Sequence, residues 1–228
     1  MDFSMEGTTT SGSPRSGESP RSDASGRVPS AVVGAIDAHL RHRELRREEL
    51  HQRARLLRRL AQATMTHLHD GQPVDGELAE VRRATVALAE WVRSEGRGDE
   101  AVAHDAFQEG VEALLLGAVV RGEVLPGPVE LGVDPEVYLL GLGDLAGEVR
   151  RLVLGRLDAA DLAGADRYLG LLEDLYRTLM RFDTTRAIVQ LKPKQDVARA
   201  LLERTRGEVT LARLLARARL PPGGVDPP

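Results

Sequence analysis

Two short stretches of this chain put acidic residues where the surrounding pattern is apolar: Phe107-Gln108-Glu109-Gly110-Val111-Glu112-Ala113 and Leu142-Gly143-Asp144-Leu145-Ala146-Gly147-Glu148-Val149-Arg150-Arg151. Glu109 and Glu112 are three residues apart and Asp144 and Glu148 four, so on helices each pair projects from one face and can converge on one ligand. Four carboxylates in one cleft are a donor set for a hard divalent cation, Mg²⁺ or Mn²⁺. The competing reading is a structural ion-pair network with Arg82, Arg121, Arg150 or Arg151. On pattern alone the two stand level.

The elements that must position these acids are helices. Leu, Ala, Arg and Glu dominate, apolar residues recur at three and four, and no segment alternates like a strand. The expected class is all-α: a single-domain bundle of about seven helices over residues 29–218, flanked by a disordered tail at 1–28 and a flexible one at 219–228. The helices are expected at about 29–70, 75–94, 99–121, 135–157, 159–181, 185–206 with an irregularity at Pro193, and 209–218. Asp134-Pro135-Glu136 is a strong start signal, with Asp as N-cap and Pro at the first helical position.

The helix carrying Glu109 and Glu112 is apolar nearly all round, with Val102, Ala113, Leu116 and Val120 on one side and Phe107, Val111, Leu114 and Ala118 on the other. It is therefore expected to be central, and acids there need cations or a metal. Gly110, Gly143 and Gly147 flank the acids, each costing about 1 kcal/mol of helix propensity relative to Ala. Close approach of two helix backbones would explain them.

Composition removes several classes of function. There is no cysteine, so a disulfide framework and a zinc-thiolate site are both excluded. The longest apolar runs are too short to cross a bilayer, and the chain reads as cytoplasmic. Net charge is −4 and aromatics are 3% of residues, which argues against RNA recognition built on stacking platforms and leaves guanidinium contacts to phosphate.

At the acids the sequence resembles the translin family, and within it the catalytic branch of translin-associated factor X (Trax) and its archaeal relatives. Gln108-Glu109-x-x-Glu112-Ala113 is similar to that branch's Gln-Glu-Tyr-Val-Glu-Ala segment. Tyr138-Leu139-Leu140-Gly141-x-x-Asp144-Leu145-x-Gly147-Glu148-x-x-Arg151 is similar to a second, longer one. Weaker similarity runs through Arg55, Arg58, His69 and Gly71 and from Tyr168 to Arg206. Gly110 departs from the family, which commonly has Tyr there.

The resemblance implies a seven-helix fold, assembly into a closed octameric shell, and binding of single-stranded RNA or DNA. It also implies Mg²⁺- or Mn²⁺-dependent endoribonuclease activity, with Glu109, Glu112, Asp144 and Glu148 as catalytic acids and metal ligands. Glu112 and Glu148 both remain open as general base.

Arginines at 41, 43, 46, 47, 53, 55, 58 and 59 stud the first helix, offset over that span only by Glu44, Glu48 and Glu49. Such a face is ordinarily just solvated. With the resemblance it becomes a phosphate-binding surface, carried by Arg55, Arg58 and Arg59 with Arg150 and Arg151 beside the acids. His67 and His69 sit at a helix end, two apart and not on one face, and are read as C-terminal capping and dipole residues. Lys192, Lys194 and Arg199 are read as RNA contacts or subunit-interface residues. The alternatives are a translin-like nucleic-acid-binding protein without activity, an all-α nucleoside triphosphate pyrophosphohydrolase, and a scaffold whose acids only make ion pairs.

Overall fold

A computed structural model of the chain describes residues 28–95, 100–182 and 188–219. The two expected tails lie almost wholly outside the described residues. The described residues form seven helices: α1 Ser30–His69, α2 Asp75–Glu95, α3 Glu100–Arg121, α4 Pro128–Leu131, α5 Pro135–Asp158, α6 Leu162–Leu179 and α7 Leu191–Arg219. No described residue is in a strand.

The chain divides into two compact units, residues 1–43 and 44–228. In the first, the described part is the opening of α1, where Val32, Val33, Ile36 and Leu40 recur at helical spacing and are exposed. In the second, α5 is the central element and packs against α3, α6 and α7, while α2 lies against α3. Val137, Leu145, Ala146, Val149 and Val153 of α5 are sealed from solvent, as are Val111, Ala113, Leu115 and Leu116 of α3. The expectation that the helix of Glu109 and Glu112 is central holds.

Helix boundaries follow local chemistry. α1 stops at Gly71, whose φ of 69° lets Gly71 N–H donate to Leu68 O and Gln72 N–H to His67 O, a Schellman closure. His67 and His69 therefore are not the cap. Asp134 is the N-cap of α5 with Pro135 next, but its side chain makes no capping hydrogen bond; only its carbonyl is used, by Tyr138 N–H. α6 starts later than the apolar pattern suggests because Asp161 Oδ1 accepts from Gly164 N–H at 2.8 Å.

The helix count of seven arises differently from the expected one. The Gly- and Pro-containing stretch before Asp134 contains the one-turn helix α4, opened by Pro128 and closed at Gly132. The two expected C-terminal helices are a single α7. Side-chain packing and a clamp from α5 hold α7 together across the expected break at Gly207. Arg150 of α5 clamps Glu208, and Leu202 and Val209 are buried on either side. Pro193 sits in the first turn of α7, where its missing N–H leaves no helical bond unmade.

Candidate active site

α3 presents Glu109 and Glu112, and α5 presents Asp144 and Glu148. The two helices approach closely at Gly141, where a Cβ would lie 2.7 Å from Val111 Cγ1 and 3.1 Å from the Gln108 carbonyl oxygen. That approach explains a glycine the acidic motif did not flag. Gly110 is filled over by Leu57 and Thr85, and the helix runs through it unbroken. Gly147 has open space in place of a side chain, so close approach is not its reason.

Three of the acids have side-chain partners from other elements. Arg58 Nε and Gln62 Nε2 of α1 donate to Glu109 at 3.1 and 2.9 Å. Gln108 and Lys194 both hydrogen-bond Asp144, one at each oxygen. His69 Nε2 hydrogen-bonds Glu148, and the His69 side chain is only 8% exposed. Glu112 receives no hydrogen bond from a described side chain. Burial, then the charges of Asp144, Glu148 and Glu109, push its carboxyl from an ordinary 4.5 up to about 8, against a smaller opposing pull from Lys194. In the metal-free chain this favours the protonated form of Glu112 at neutral pH.

The four acids thus share one electrostatic neighbourhood, centred on Glu112. Among the described residues no group of three or more acidic, histidine or cysteine side chains stands close enough to hold a metal ion. The donor chemistry nevertheless fits a hard divalent cation. All four groups offer carboxylate oxygens, and burial together with its acidic neighbours holds the carboxyl of Glu112 well above the usual range. The ion-pair reading is realised as well, with different partners from those expected: Arg58 and Lys194 pair with two of the acids and His69 hydrogen-bonds a third, not Arg82, Arg121, Arg150 or Arg151.

Three of the displaced arginines have other partners. Arg82 reaches Glu130, and Arg121 pairs with Glu123 and Asp75. Arg150 is 14% exposed and donates to Thr205 and to both oxygens of Glu208, whose carboxyl it holds below the usual range. It is therefore a half-buried brace between α5 and α7, turned to Thr205 and Glu208 rather than to the acids. Arg151 is exposed, as are Arg55 and Arg59. Arg55 pairs loosely with Glu48 at 3.1 Å and Arg58 is shared with Glu109.

Sequence reading missed Gln62, His69 and Lys194 as parts of the centre. Nothing in the local pattern of α1 or α7 points at acids 47, 79 and 50 residues away. His67, set beside His69 on pattern, instead meets Glu77 at 2.9 Å.

The fold is similar to that of solved structures. One described as a complex of AfC3PO with duplex RNA has a TM-score of 0.75 and 29% identity, covering 82% of this chain and 99% of that one. The chain has the translin/C3PO helical fold. A second AfC3PO structure matches at a TM-score of 0.73 and 29% identity over 83% of this chain and 99% of that one. Apo-NeC3PO matches at 0.73 and 22% identity over 82% and 98%. Among curated proteins, the uncharacterized protein MJ0175 of Methanocaldococcus jannaschii is 42% identical over 103 residues, which is 45% of this chain. The match spans 46% of that relative's length. No protein-family model matches the chain. No helix of the C3PO-like chain is long and apolar enough to cross a membrane among the described residues.

Proposed function

We propose that the chain is a Trax-like member of the translin family that binds RNA and hydrolyses its phosphodiester bonds with Mg²⁺ or Mn²⁺ held by Glu109, Glu112, Asp144 and Glu148. The observation that carries this reading is the state of Glu112. A carboxyl enclosed among three others and pushed up to about 8 marks a site short of positive charge. Fold likeness to a C3PO bound to duplex RNA supports nucleic acid as the ligand.

A bound divalent cation would supply Lewis-acid activation of water and stabilise the charge that develops on phosphate. The chain's own groups do the rest. Glu112, once it has given up its own proton, and Glu148 are the two groups placed to take up a proton from an attacking water. His69 fixes Glu148, Gln108 fixes Asp144, and Arg58 with Gln62 fixes Glu109, so the acids keep their orientation as substrate enters. Exposed Arg55, Arg59 and Arg151, with the free edge of Arg58, are the proposed phosphate contacts. Assembly into a homo-oligomer, an octameric shell by resemblance, and action in the cytoplasm belong to the same proposal.

The second reading is RNA binding without cleavage. It is favoured by the partners already bound to three of the acids and by the lack of a ready three-ligand set among the described residues. Incubating single-stranded and duplex RNA with the protein in Mg²⁺, Mn²⁺ or EDTA separates the two, using E112A beside wild type. Cleavage that needs the metal and is lost in E112A supports the nuclease. RNA binding with no cleavage in either metal leaves the binding protein. Both RNA forms are needed because sequence resemblance implies single strands, whereas the AfC3PO complex holds a duplex.

A further inference from the structure

Lys194 reaches the centre by an unusual route. It sits in the first turn of α7, and its stem lies across α5 at Gly143, where a Cβ would stand 2.8 Å from Lys194 Cβ and 3.1 Å from its Cγ. Any side chain at 143 would displace it. The ammonium ends on Asp144 Oδ1, while Gln108 takes Oδ2, so both oxygens of this carboxylate are occupied. Lys194 and Asp144 are 27% and 24% exposed, covered enough for the pair to be weakly screened yet open at the edge. Lys192, two residues earlier, turns to Asp196 of its own helix and takes no part.

An ammonium on a carboxylate oxygen weakens that oxygen as a ligand for a divalent ion, because the two cations repel across it. The glycine slot fixes the lysine stem, so a displaced ammonium stays beside the centre, where the next anion to arrive is a phosphate. Lysine suits that contact as a compact, mobile point charge. We propose that Lys194 is the resident counter-ion of the carboxylate centre: it competes with the divalent cation for Asp144 and, once displaced, contacts the phosphate of bound RNA. This rests on the reading of the four acids as a metal centre. Lys194 is then a positioning residue for the free state and a substrate contact in the loaded one.

The test is calorimetric titration of metal-free protein with Mn²⁺, using wild type, E112A, K194M and K194R, followed by RNA cleavage at saturating Mn²⁺. K194M should bind Mn²⁺ about three- to tenfold more tightly, because a competitor and a repelling charge are both gone. It should nevertheless cleave at least about tenfold more slowly at saturation, and K194R should restore both values toward wild type. A merely structural lysine would give the opposite sign, with weaker Mn²⁺ binding in K194M. Unchanged or weaker binding in K194M, while E112A abolishes the site, overturns the role of Lys194 and leaves the metal centre standing. Undiminished Mn²⁺ binding in E112A overturns the metal centre and this inference with it. Should K194M not fold, K194Q removes the charge, keeps a polar end and is read in the same way.

Discussion

His69, at the end of α1, hydrogen-bonds Glu148 in the middle of α5, joining residues 79 apart in sequence. The imidazole is almost fully covered, so its loss leaves a carboxylate oxygen of Glu148 without its donor in a poorly solvated place. We expect H69A to lose about 1–3 kcal/mol of stability in urea unfolding at neutral pH. An unchanged midpoint would show that the link contributes nothing.

Glu112 gives the metal-free chain a pH dependence of definite sign. Its carboxyl ionises near 4.5 in the unfolded chain and near 8 in the folded one, so between those values the folded state binds the extra proton. Stability then falls as pH rises from about 4.5 to about 8 and levels off above. E112Q should flatten that part of the profile and be more stable than wild type at pH 8 and beyond, as read by thermal unfolding in EDTA. In wild type, Mn²⁺ binding at pH 7 should release close to one proton, which titrations in buffers of different ionisation enthalpy would count.

Two arginine groups should separate cleanly. R150A removes a half-buried brace to Glu208 and Thr205 and should cost about 1–3 kcal/mol while leaving RNA affinity unchanged below the unfolding transition. The triple change R55A/R59A/R151A touches exposed side chains and should leave stability within about 0.5 kcal/mol. Its effect should fall on RNA binding, with lower affinity and a shallower dependence on salt. A loss of RNA affinity in R150A alone would reverse this division.

Ala160 closes α5 in the left-handed region at φ 57°, with Ala160 N–H on Leu157 O and Asp161 N–H on Arg156 O. This is the closure made by Gly71 after α1, here with a Cβ in the disfavoured region. Strain relief outweighs the extra backbone freedom glycine has when unfolded. A160G should raise stability by about 0.5–1 kcal/mol in chemical denaturation.

The sequence by itself determined the class, most helix limits and the four acids. Those are local matters: 3.6-residue periodicity places α2, α3 and α5, and glycine after an apolar run ends α1. It misjudged α4 and the continuity of α7, because Pro128 opening a single turn and the Arg150–Glu208 clamp across Gly207 are settled by contacts, not propensity.

What only the tertiary structure decided is which charges meet. Arg150 is two residues from Glu148 and goes to α7, whereas Lys194, 50 residues from Asp144, goes to that acid. Spacing along a helix says which side chains share a face. Coulomb energy depends on distance and burial after packing, and the α3–α5 approach at Gly141 and the Lys194 slot at Gly143 set both. The same packing encloses Glu112, and so turns four acidic letters into a centre short of positive charge.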